Sequence, residues 1–336
     1  METSQNLSFL LLSLSLIFLF LNLSETAIAC HPNDKRALLE IKAHLGGENA
    51  SPFSNWNPKT DCCRWNNVGC DHQGAGRVNF LVINNADDVV GQLPPFVGDL
   101  PYLISLRFLY LPNLIGPIPT TIAKLTNLQV LEFGSNNMDG PIPDIFENLK
   151  NLESVSLYSN KFSGSIPSSL SLLPKLKQLD LFGNKLSGPI PESFGSFKTG
   201  VSLQLFDNQL HGPIPKSLGK ANITEINVSK NRLTGDASFL FGKDKPLTSI
   251  TLKNNKFKFD FSNVDLPLGL RDLDIAHNMI YGSLPKQIGH LPLQFLDVSY
   301  NQLCGKIPTG PQLKRFKPSY FAHNKCLCGA PLPPCK

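Results

Sequence analysis

One short pattern recurs along most of this 336-residue chain, and that recurrence limits the fold more than any other feature. The pattern is L-x-x-L-x-L-x-x-N, in which other apolar residues replace some of the leucines. Its clear copies span residues 128–136, 152–160, 176–184, 203–208, 223–231, 247–255, 270–278 and 293–301. Two looser copies begin at Val78 and Leu103, so the chain carries ten repeats with a period of 23–25 residues.

Each copy reads as a short strand followed by a turn. In L-x-L the two leucines face the interior and the residue between them faces solvent. One such strand cannot bury its apolar face alone, but ten stacked strands share a continuous core. The Asn side chain can bond backbone groups where the chain leaves the strand. The following x-L-x-G-x-I-P, as in residues 185–191, places Gly in the turn and Pro in extended backbone. The sequence therefore predicts an α/β solenoid with a curved parallel sheet.

The first 29 residues predict a secretory signal. An apolar run over residues 7–23 precedes Ala27-Ile28-Ala29, a cleavage pattern that ends just before Cys30. The segment before the apolar run carries Glu2 and no basic residue, so a membrane anchor is the alternative. No later stretch of sequence is long and apolar enough to cross a bilayer. We therefore expect a secreted protein without a membrane span.

The charge of the chain is mildly basic. Removal of residues 1–29 would take away two acidic residues and no basic one, which changes the net charge from +5 to +7. This charge favours an acidic partner. It is small and dispersed, and no nucleic-acid motif is present, so nucleic acid is not expected as a partner.

The eight cysteines flank the repeats, four before them and four after. They are Cys30, Cys62, Cys63 and Cys70, and then Cys304, Cys326, Cys328 and Cys335. An even, clustered set in a secreted chain predicts disulfides, with three possible pairings in each group. A bridge between adjacent Cys62 and Cys63 would be strained, and the spacing favours Cys30–Cys62, Cys63–Cys70, Cys304–Cys326 and Cys328–Cys335. Zinc is the alternative, although the spacings do not match a tetrahedral site.

The ends of a solenoid need caps, and we expect each cysteine group to stabilise one. The predicted organisation is a signal peptide over 1–29, an N-terminal cap over 30–77, repeats over 78–301 and a C-terminal cap over 302–336. In the first cap, Asn33-Asp34 would begin a helix over DKRALLEIKAHL, which would end at Gly46-Gly47.

These features together resemble a known family. The repeat L-x-x-L-x-L-x-x-N-x-L-x-G-x-I-P is of the plant extracellular leucine-rich type. The ten copies, the segment TDCCRWNNVGC and the ending CLCGAPLPPC resemble plant polygalacturonase-inhibiting proteins over the whole mature chain. The resemblance implies a plant-type leucine-rich repeat solenoid with two disulfide-bridged caps, the four-bridge scheme given above, and a place in the apoplast or cell wall. In that family the concave face binds pathogen polygalacturonases and obstructs their cleavage of pectin.

Outward residues of stacked strands should form columns about 4.8 Å apart from strand to strand. The middle column is polar and leans acidic: Val82, Arg107, Glu132, Ser156, Asp180, Gln204, Asn227, Thr251, Asp274 and Asp297. The column two residues before each Asn holds Tyr158, Phe182 and Phe206 in successive repeats. The candidate enzyme-binding residues on the concave face are Val130, Glu132, Ser156, Tyr158, Gln178, Asp180, Phe182, Ser202, Gln204, Phe206, Thr248, Thr251 and His277.

The three aromatic residues have two interpretations. They could pack on one another and simply cover the sheet, or they could form a binding hot spot, since contiguous exposed aromatic residues mark interaction sites. Their polar neighbours Gln178 and Ser202 favour the second. The stacked carboxylates lie on an open surface without a cleft, and no nucleophile accompanies His277. We expect a monomer that is not an enzyme and needs no cofactor or metal.

The residue just after each Asn forms a basic column: Lys161, Lys185, Arg232 and Lys256, interrupted by Gln209. Lys is common in solvated turns, which is the ordinary interpretation. The functional interpretation is a site for a polyanion, and the family resemblance points to homogalacturonan, the acidic polymer of pectin.

Three sequons follow the signal, at Asn49, Asn222 and Asn227. Asn49 and Asn222 should lie in loops, whereas a glycan on Asn227 would crowd the concave face.

Two other functions compete with inhibition. One is ice binding, an activity known for a relative of this family, which would favour a flat, regular array of Thr or Asn. The middle column instead mixes charges and sizes. The other is a secreted partner that presents its concave face to a peptide or a receptor kinase.

Overall fold

The computed structural model describes residues 29–71 and 74–336. The predicted signal sequence lies outside the described residues, apart from Ala29. The described chain contains one α-helix, followed by short strands and 3₁₀ helices in regular alternation. Within these ranges we find no helix with the length and apolar character needed to cross a membrane.

An eleven-stranded sheet, here called the concave sheet, runs the length of the molecule. Its strands are Val68–Cys70, Val78–Asn84, Ser105–Leu109, Val130–Gly134, Ser154–Ser156, Gln178–Asp180, Val201–Gln204, Ile223–Asn227, Ser249–Thr251, Asp272–Asp274 and Phe295–Asp297. The first strand is antiparallel to the second. The other ten are parallel to one another and come from the ten repeats. The predicted parallel sheet of about ten leucine-rich repeats is therefore confirmed.

After most concave strands the chain adds a strand to a second sheet and then forms a 3₁₀ helix. The eight strands of this second sheet are Gly91–Gln92, Leu114–Gly116, Asn137–Pro141, Lys161–Gly164, Lys185–Gly188, Gln209–Pro213, Arg232–Gly235 and Lys256–Phe257. Three further strands, Tyr281–Gly282, Gln302–Lys306 and Cys326–Cys328, form a sheet at the C-terminal end. The 3₁₀ helices are Gly47–Asn49, Ser51–Phe53, Cys62–Arg64, Pro95–Asp99, Thr120–Lys124, Phe146–Asn148, Ser168–Leu172, Glu192–Ser196, Lys216–Lys220, Ser238–Leu240, Lys286–His290, Leu313–Arg315 and Pro318–Tyr320.

The turn that recurs in the repeats has a backbone conformation that favours glycine. Gly188 has a φ of +80°, in the left-handed region that residues with a Cβ adopt only at a cost. The leucines of the L-x-L pattern, such as Leu179 and Leu181, are fully buried between the concave sheet and the 3₁₀ helices. Each repeat thus contributes one layer to a core that continues through the described chain.

A ladder of asparagine side chains joins each repeat to the one before it. Asn160 donates from Nδ2 to the carbonyl of Phe133 at 2.7 Å, and its Oδ1 accepts from the N–H of Met138 at 3.1 Å. The same pair of bonds recurs at Asn136, Asn184, Asn208, Asn231, Asn255, Asn278, Asn301 and Asn324. Each amide therefore satisfies a donor and an acceptor that the turn would otherwise leave buried and unpaired.

The ladder has one more step than the sequence pattern indicated. Asn324 bonds Leu303 and Val298 as the other asparagines bond their neighbours, and Phe321 occupies a core position with no exposed surface. The segment N-K-C-L-C-G stands where other repeats have N-x-L-x-G, with one extra residue before its Gly. The C-terminal cap therefore begins as a partial eleventh repeat in which Cys326 replaces the usual leucine.

The helix of the N-terminal cap, α1, spans Pro32–His44, and it begins two residues before the predicted start. The prediction of Asn33-Asp34 as its start was wrong, because Pro32 provides the fixed φ of a first helical residue and His31 is the N-cap. Asp34 is fully buried and accepts two hydrogen bonds from Arg77, at 2.9 and 2.7 Å. This bidentate pair ties α1 to the start of the first repeat strand.

All eight cysteines form disulfides, which leaves no free thiol in the described chain. The pairs are Cys30–Cys62, Cys63–Cys70, Cys304–Cys326 and Cys328–Cys335. Cys304 and Cys326 lie directly opposite each other on neighbouring parallel strands. The zinc alternative is excluded at these residues, because a sulfur atom in a disulfide is not a thiolate ligand.

We predict that Asn160→Ala destabilises the protein by about 2–4 kcal/mol, because it leaves the Phe133 carbonyl and the Met138 N–H buried without their partner. Urea unfolding with intact disulfides measures the change. The matched control is Lys161→Ala at the next, exposed position, for which we expect a change within about 0.5 kcal/mol. Equal effects of the two substitutions would contradict the role of the ladder.

Candidate functional site

The register of the concave sheet aligns the predicted columns. Glu132 pairs with Ser156, Ser156 with Asp180, and Asp180 with Gln204 across successive strands. A parallel column on the same face contains Val130, Ser154, Gln178, Ser202 and Glu225. The predicted face residues of repeats three to six therefore lie on one continuous surface.

Tyr158, Phe182 and Phe206 stack in a row along this surface, and we call them the aromatic ridge. The ring centroids of Tyr158 and Phe182 are 5.1 Å apart with an interplanar angle of 13°. Those of Phe182 and Phe206 are 4.3 Å apart at 7°. All three side chains remain partly exposed, so the ridge combines mutual packing with a solvent-facing edge. The packing interpretation and the binding interpretation are thus compatible.

Two residues that the sequence did not single out position the end of the ridge. The ring of Tyr158 lies over Gly134, where a Cβ would come within 2.3 Å of the ring. The hydroxyl groups of Tyr158 and Tyr110 share a hydrogen bond. Burial and this hydrogen bond raise the pKa of Tyr158 to about 12. The glycine thus provides the space for the ring of Tyr158, and Tyr110 lies beside the hydroxyl group of that ring.

A network of partly buried acids lies beside the ridge. Oδ2 of Asp180 accepts hydrogen bonds from Ser156 Oγ at 2.9 Å and from Gln178 Nε2 at 2.6 Å. Burial raises the pKa of Asp180, and these two hydrogen bonds oppose the shift. Burial also raises the pKa of Glu132, which Arg107 opposes from 3.6 Å. The carboxylates are held in place rather than freely solvated, because their partners fix them on the face.

A second acidic pair behaves differently. Lys253 reaches both Asp274 and Asp297, at 3.3 and 3.5 Å. The ammonium group partly neutralises both carboxylates, so this stretch of the face carries less free negative charge than the part around Asp180. Thr251 precedes this pair in the middle column, and Thr248 lies one residue before its strand.

His277 does not join the aromatic ridge. It lies three repeats beyond Phe206, and its ring stacks on Tyr300 with centroids 4.1 Å apart. Tyr300 stacks in turn on His323, also at 4.1 Å. The sequence identified His277 as a candidate residue of the concave face but did not predict this stack, because His323 belongs to the partial eleventh repeat that the pattern did not include.

The residues of the basic column begin the strands of the second sheet, and all are exposed. The column is staggered: Lys185 lies opposite Ser163, two residues after Lys161, and Lys256 lies opposite Thr234, two residues after Arg232. Each strand thus slips by two residues against its neighbour. None of Lys161, Lys185, Arg232 and Lys256 forms an ion pair within the described ranges.

The three sequon asparagines occupy different environments. Asn49 is exposed in a 3₁₀ helix of the N-terminal cap. Asn222 is exposed, but its Nδ2 donates to the carbonyl of Lys198 at 2.9 Å. Asn227 lies half-buried in the middle column between Gln204 and Thr251, and its Oδ1 accepts from Ser229 Oγ at 2.7 Å. A glycan on Asn227 would therefore lie on the concave face, beyond the aromatic ridge.

The repeats and their parallel sheet define a class, that of plant leucine-rich repeat proteins. Residues 31–71 match the family described as Leucine rich repeat N-terminal domain, and residues 126–186 and 292–312 match Leucine rich repeat families. Polygalacturonase inhibitor 1 of Arabidopsis thaliana is 56% identical over 327 residues, which cover 97% of this chain and 98% of that protein. The polygalacturonase inhibitor of Pyrus communis is 51% identical, with 96% of this chain and 98% of that protein covered. The chain belongs to the polygalacturonase inhibitor family.

A solved structure gives a further comparison. The crystal structure of a plant ice-binding protein superimposes with a TM-score of 0.88 at 45% sequence identity, covering 91% of this chain and 98% of that one. The same fold therefore occurs in a protein named for ice binding. Surface residues rather than the fold must distinguish ice binding from inhibition of polygalacturonases.

We predict that Asp180→Asn stabilises the protein at neutral pH. The pKa of Asp180 is raised in the folded state, so at a pH above that pKa its ionised carboxylate lowers the free energy of unfolding. This destabilisation decreases as the pH falls through the raised pKa and the carboxylate becomes protonated. The advantage of the variant should therefore shrink on acidification towards pH 3.8, the ordinary value. Thermal unfolding of the wild type and the variant, from neutral pH down to pH 3.8, measures this difference in stability.

The matched control is Asp244→Asn, which removes the same charge from an exposed position. Its effect on the free energy of unfolding should stay within about 0.5 kcal/mol. A stability gain for Asp180→Asn that does not depend on pH would refute the proposed cause.

Proposed function

We propose that this protein is secreted to the apoplast or cell wall and inhibits fungal or insect endopolygalacturonases by binding them with its concave face. The observation that carries the proposal is the aromatic ridge next to a fixed acidic network, on an otherwise polar face. Membership of the polygalacturonase inhibitor family supports the same function. The protein acts by binding and performs no catalysis of its own.

The ridge provides the apolar part of the contact. Aromatic side chains bury large areas at little entropic cost and dominate the binding energy of many interfaces. Phe182 is held between two other rings, so its position is set before a partner arrives. Preorganisation of this kind lowers the entropic cost of association.

The acidic network provides the electrostatic part. An enzyme that holds polygalacturonate needs basic groups around its active cleft, and Glu132 and Asp180 can meet such groups. Complementary charges mainly accelerate the encounter and select among partners. Raised pKa values at Glu132 and Asp180 imply that this attraction weakens as the pH falls through those values.

The basic column supports a second part of the proposal, the binding of homogalacturonan. Its four cations are exposed and free of ion pairs within the described chain, so their charge is available to a polyanion. The stagger spreads them along a diagonal of the second sheet, separate from the concave face. We propose that the protein acts as a monomer, with glycans on its exposed sequons.

Ice binding is the second candidate, because the solved ice-binding structure shares the scaffold. The middle column weighs against it, since Arg107, Glu132, Asp180 and Asp274 interrupt any regular array of small hydroxyl or amide groups. Thermal hysteresis of the purified protein measures this activity directly, and its presence would favour this alternative.

We predict that Phe182→Ala weakens inhibition of a sensitive endopolygalacturonase about 30-fold, corresponding to the loss of a central hot-spot residue of ~2 kcal/mol. The inhibition constant is measured from initial rates of polygalacturonate cleavage. Circular dichroism verifies that the variant remains folded.

Tyr281→Ala is the control, since it removes an aromatic ring that is 41% exposed and lies outside the concave sheet. It should leave the inhibition constant unchanged. Undiminished inhibition by folded Phe182→Ala would remove the aromatic ridge from the binding site.

A further inference from the structure

The column that contains the aromatic ridge has one position without a side chain. Gly134 stands in its repeat where Tyr158 and Phe182 stand in the next two, two residues before the Asn of the pattern. It ends the strand Val130–Gly134, and its φ is not in the left-handed region, so its backbone conformation does not require glycine. A glycine in a strand often marks a place where another group approaches closely. The reason for Gly134 must therefore lie in what approaches it.

The group that approaches Gly134 is the phenol end of Tyr158. A Cβ at Gly134 would lie 2.3 Å from Cζ, 2.5 Å from Cε1 and 2.7 Å from the hydroxyl oxygen of Tyr158. These distances are too short for van der Waals contact, so any larger residue would displace the ring. Phe182 stacks on the ring from the following repeat, with Phe206 behind it. A displaced ring would thus have to leave the row, because no free space lies along it.

Tyr110 contacts both Gly134 and Tyr158. Its backbone N–H donates to the carbonyl of Gly134 at 3.0 Å, and its hydroxyl group shares a hydrogen bond with that of Tyr158. Tyr110 is 51% exposed and Tyr158 is partly exposed, so the hydroxyl pair is accessible at the N-terminal end of the ridge. Two phenol groups joined by one hydrogen bond keep one donor proton for a partner.

We propose that Gly134 is a positioning residue for enzyme binding: by leaving room for the ring of Tyr158, it fixes the hydroxyl pair of Tyr158 and Tyr110 as a polar contact point. This inference rests on the proposed inhibition of polygalacturonases and adds a determinant of its specificity. The pair would bind a hydrogen-bonding side chain of the enzyme, an amide or a guanidinium group. An enzyme without such a group would leave the hydroxyls unpaired in the interface, which lowers its affinity.

The environment of Tyr158 keeps this contact point neutral and gives a measure of the position of the ring. Burial and the hydrogen bond with Tyr110 raise the pKa of Tyr158 to about 12, and the carboxylates of Glu132 and Asp180 act in the same direction. The phenol therefore keeps its proton at acidic and neutral pH. Displacement of the ring would remove the burial and the hydrogen bond, so the pKa would fall towards the ordinary 10.0.

The first test uses Gly134→Ala and needs no enzyme. The mature protein is labelled with ¹³C at the Cζ atoms of its tyrosines, and the titration of each phenol is followed by NMR, with Tyr158→Phe to assign the signal. At about pH 11, Tyr158 should be roughly one-tenth ionised in the wild type and roughly nine-tenths ionised in Gly134→Ala. Circular dichroism verifies that both proteins remain folded at that pH.

The second test measures inhibition of an endopolygalacturonase that the wild type inhibits. Gly134→Ala should raise the inhibition constant about tenfold, which corresponds to ~1.4 kcal/mol. In the Tyr158→Ala background the same substitution should change the constant by less than about twofold, because the ring that it displaces is absent. The matched control is Gly269→Ala, at an exposed position where a Cβ meets no atom within 4 Å. It should change neither the inhibition constant nor the titration of Tyr158.

Three results would overturn the proposal. Undiminished inhibition by folded Gly134→Ala would show that the position does not matter for binding. Equal weakening with and without the ring of Tyr158 would show that Gly134 does not act through it. An unchanged titration of Tyr158 would show that the ring is not displaced. If the wild type inhibits no enzyme, the proposed function fails and the role of Gly134 in binding fails with it, whereas the titration still decides whether Gly134 positions the ring.

Discussion

The fold depends on the asparagine that closes each strand. A turn in every repeat buries backbone groups that the strands cannot pair, and one amide side chain satisfies a donor and an acceptor of the preceding repeat. Because a buried unpaired group costs about 1–3 kcal/mol, a solenoid of this length could not tolerate such losses in every repeat. The ladder also fixes the register between repeats, and so it aligns the outward columns on the concave sheet.

This constraint leaves the outward positions free to serve function. Since Asn and the core leucines already hold each repeat, Tyr158, Phe182 and Phe206 can stack without any need to stabilise the strands. An outward residue can even destabilise the fold: the carboxylate of Asp180 is buried on the concave face, and this burial raises its pKa. Residues that oppose folding in this way are expected at functional surfaces more than elsewhere.

The sequence predicted the features that follow the repeat period. The strands, the core leucines, the columns and the row of three aromatic residues all depend on one spacing, which can be counted. Contacts between different columns do not follow from the period. The hydrogen bond between Tyr110 and Tyr158 joins residues 48 positions apart, and the role of Gly134 depends on where the neighbouring ring turns.

Two further features were not predicted, namely the register of the second sheet and the partial eleventh repeat. The basic column is staggered because each strand of the second sheet slips by two residues, whereas an alignment on Asn implies none. The partial eleventh repeat was missed because Ser319 stands at the second apolar position of the pattern and Cys326 at the leucine position after the Asn. His323 belongs to that repeat, so its stacking on Tyr300 was not predicted either.

The central claim is that this protein inhibits polygalacturonases, and one measurement tests it most directly. Purified protein beginning at Cys30 is titrated, at mildly acidic pH, into a panel of fungal endopolygalacturonases while cleavage of polygalacturonate is followed. The account predicts dose-dependent inhibition of at least one enzyme. Full activity of every enzyme in a broad panel, in the presence of protein shown to be folded, would contradict it.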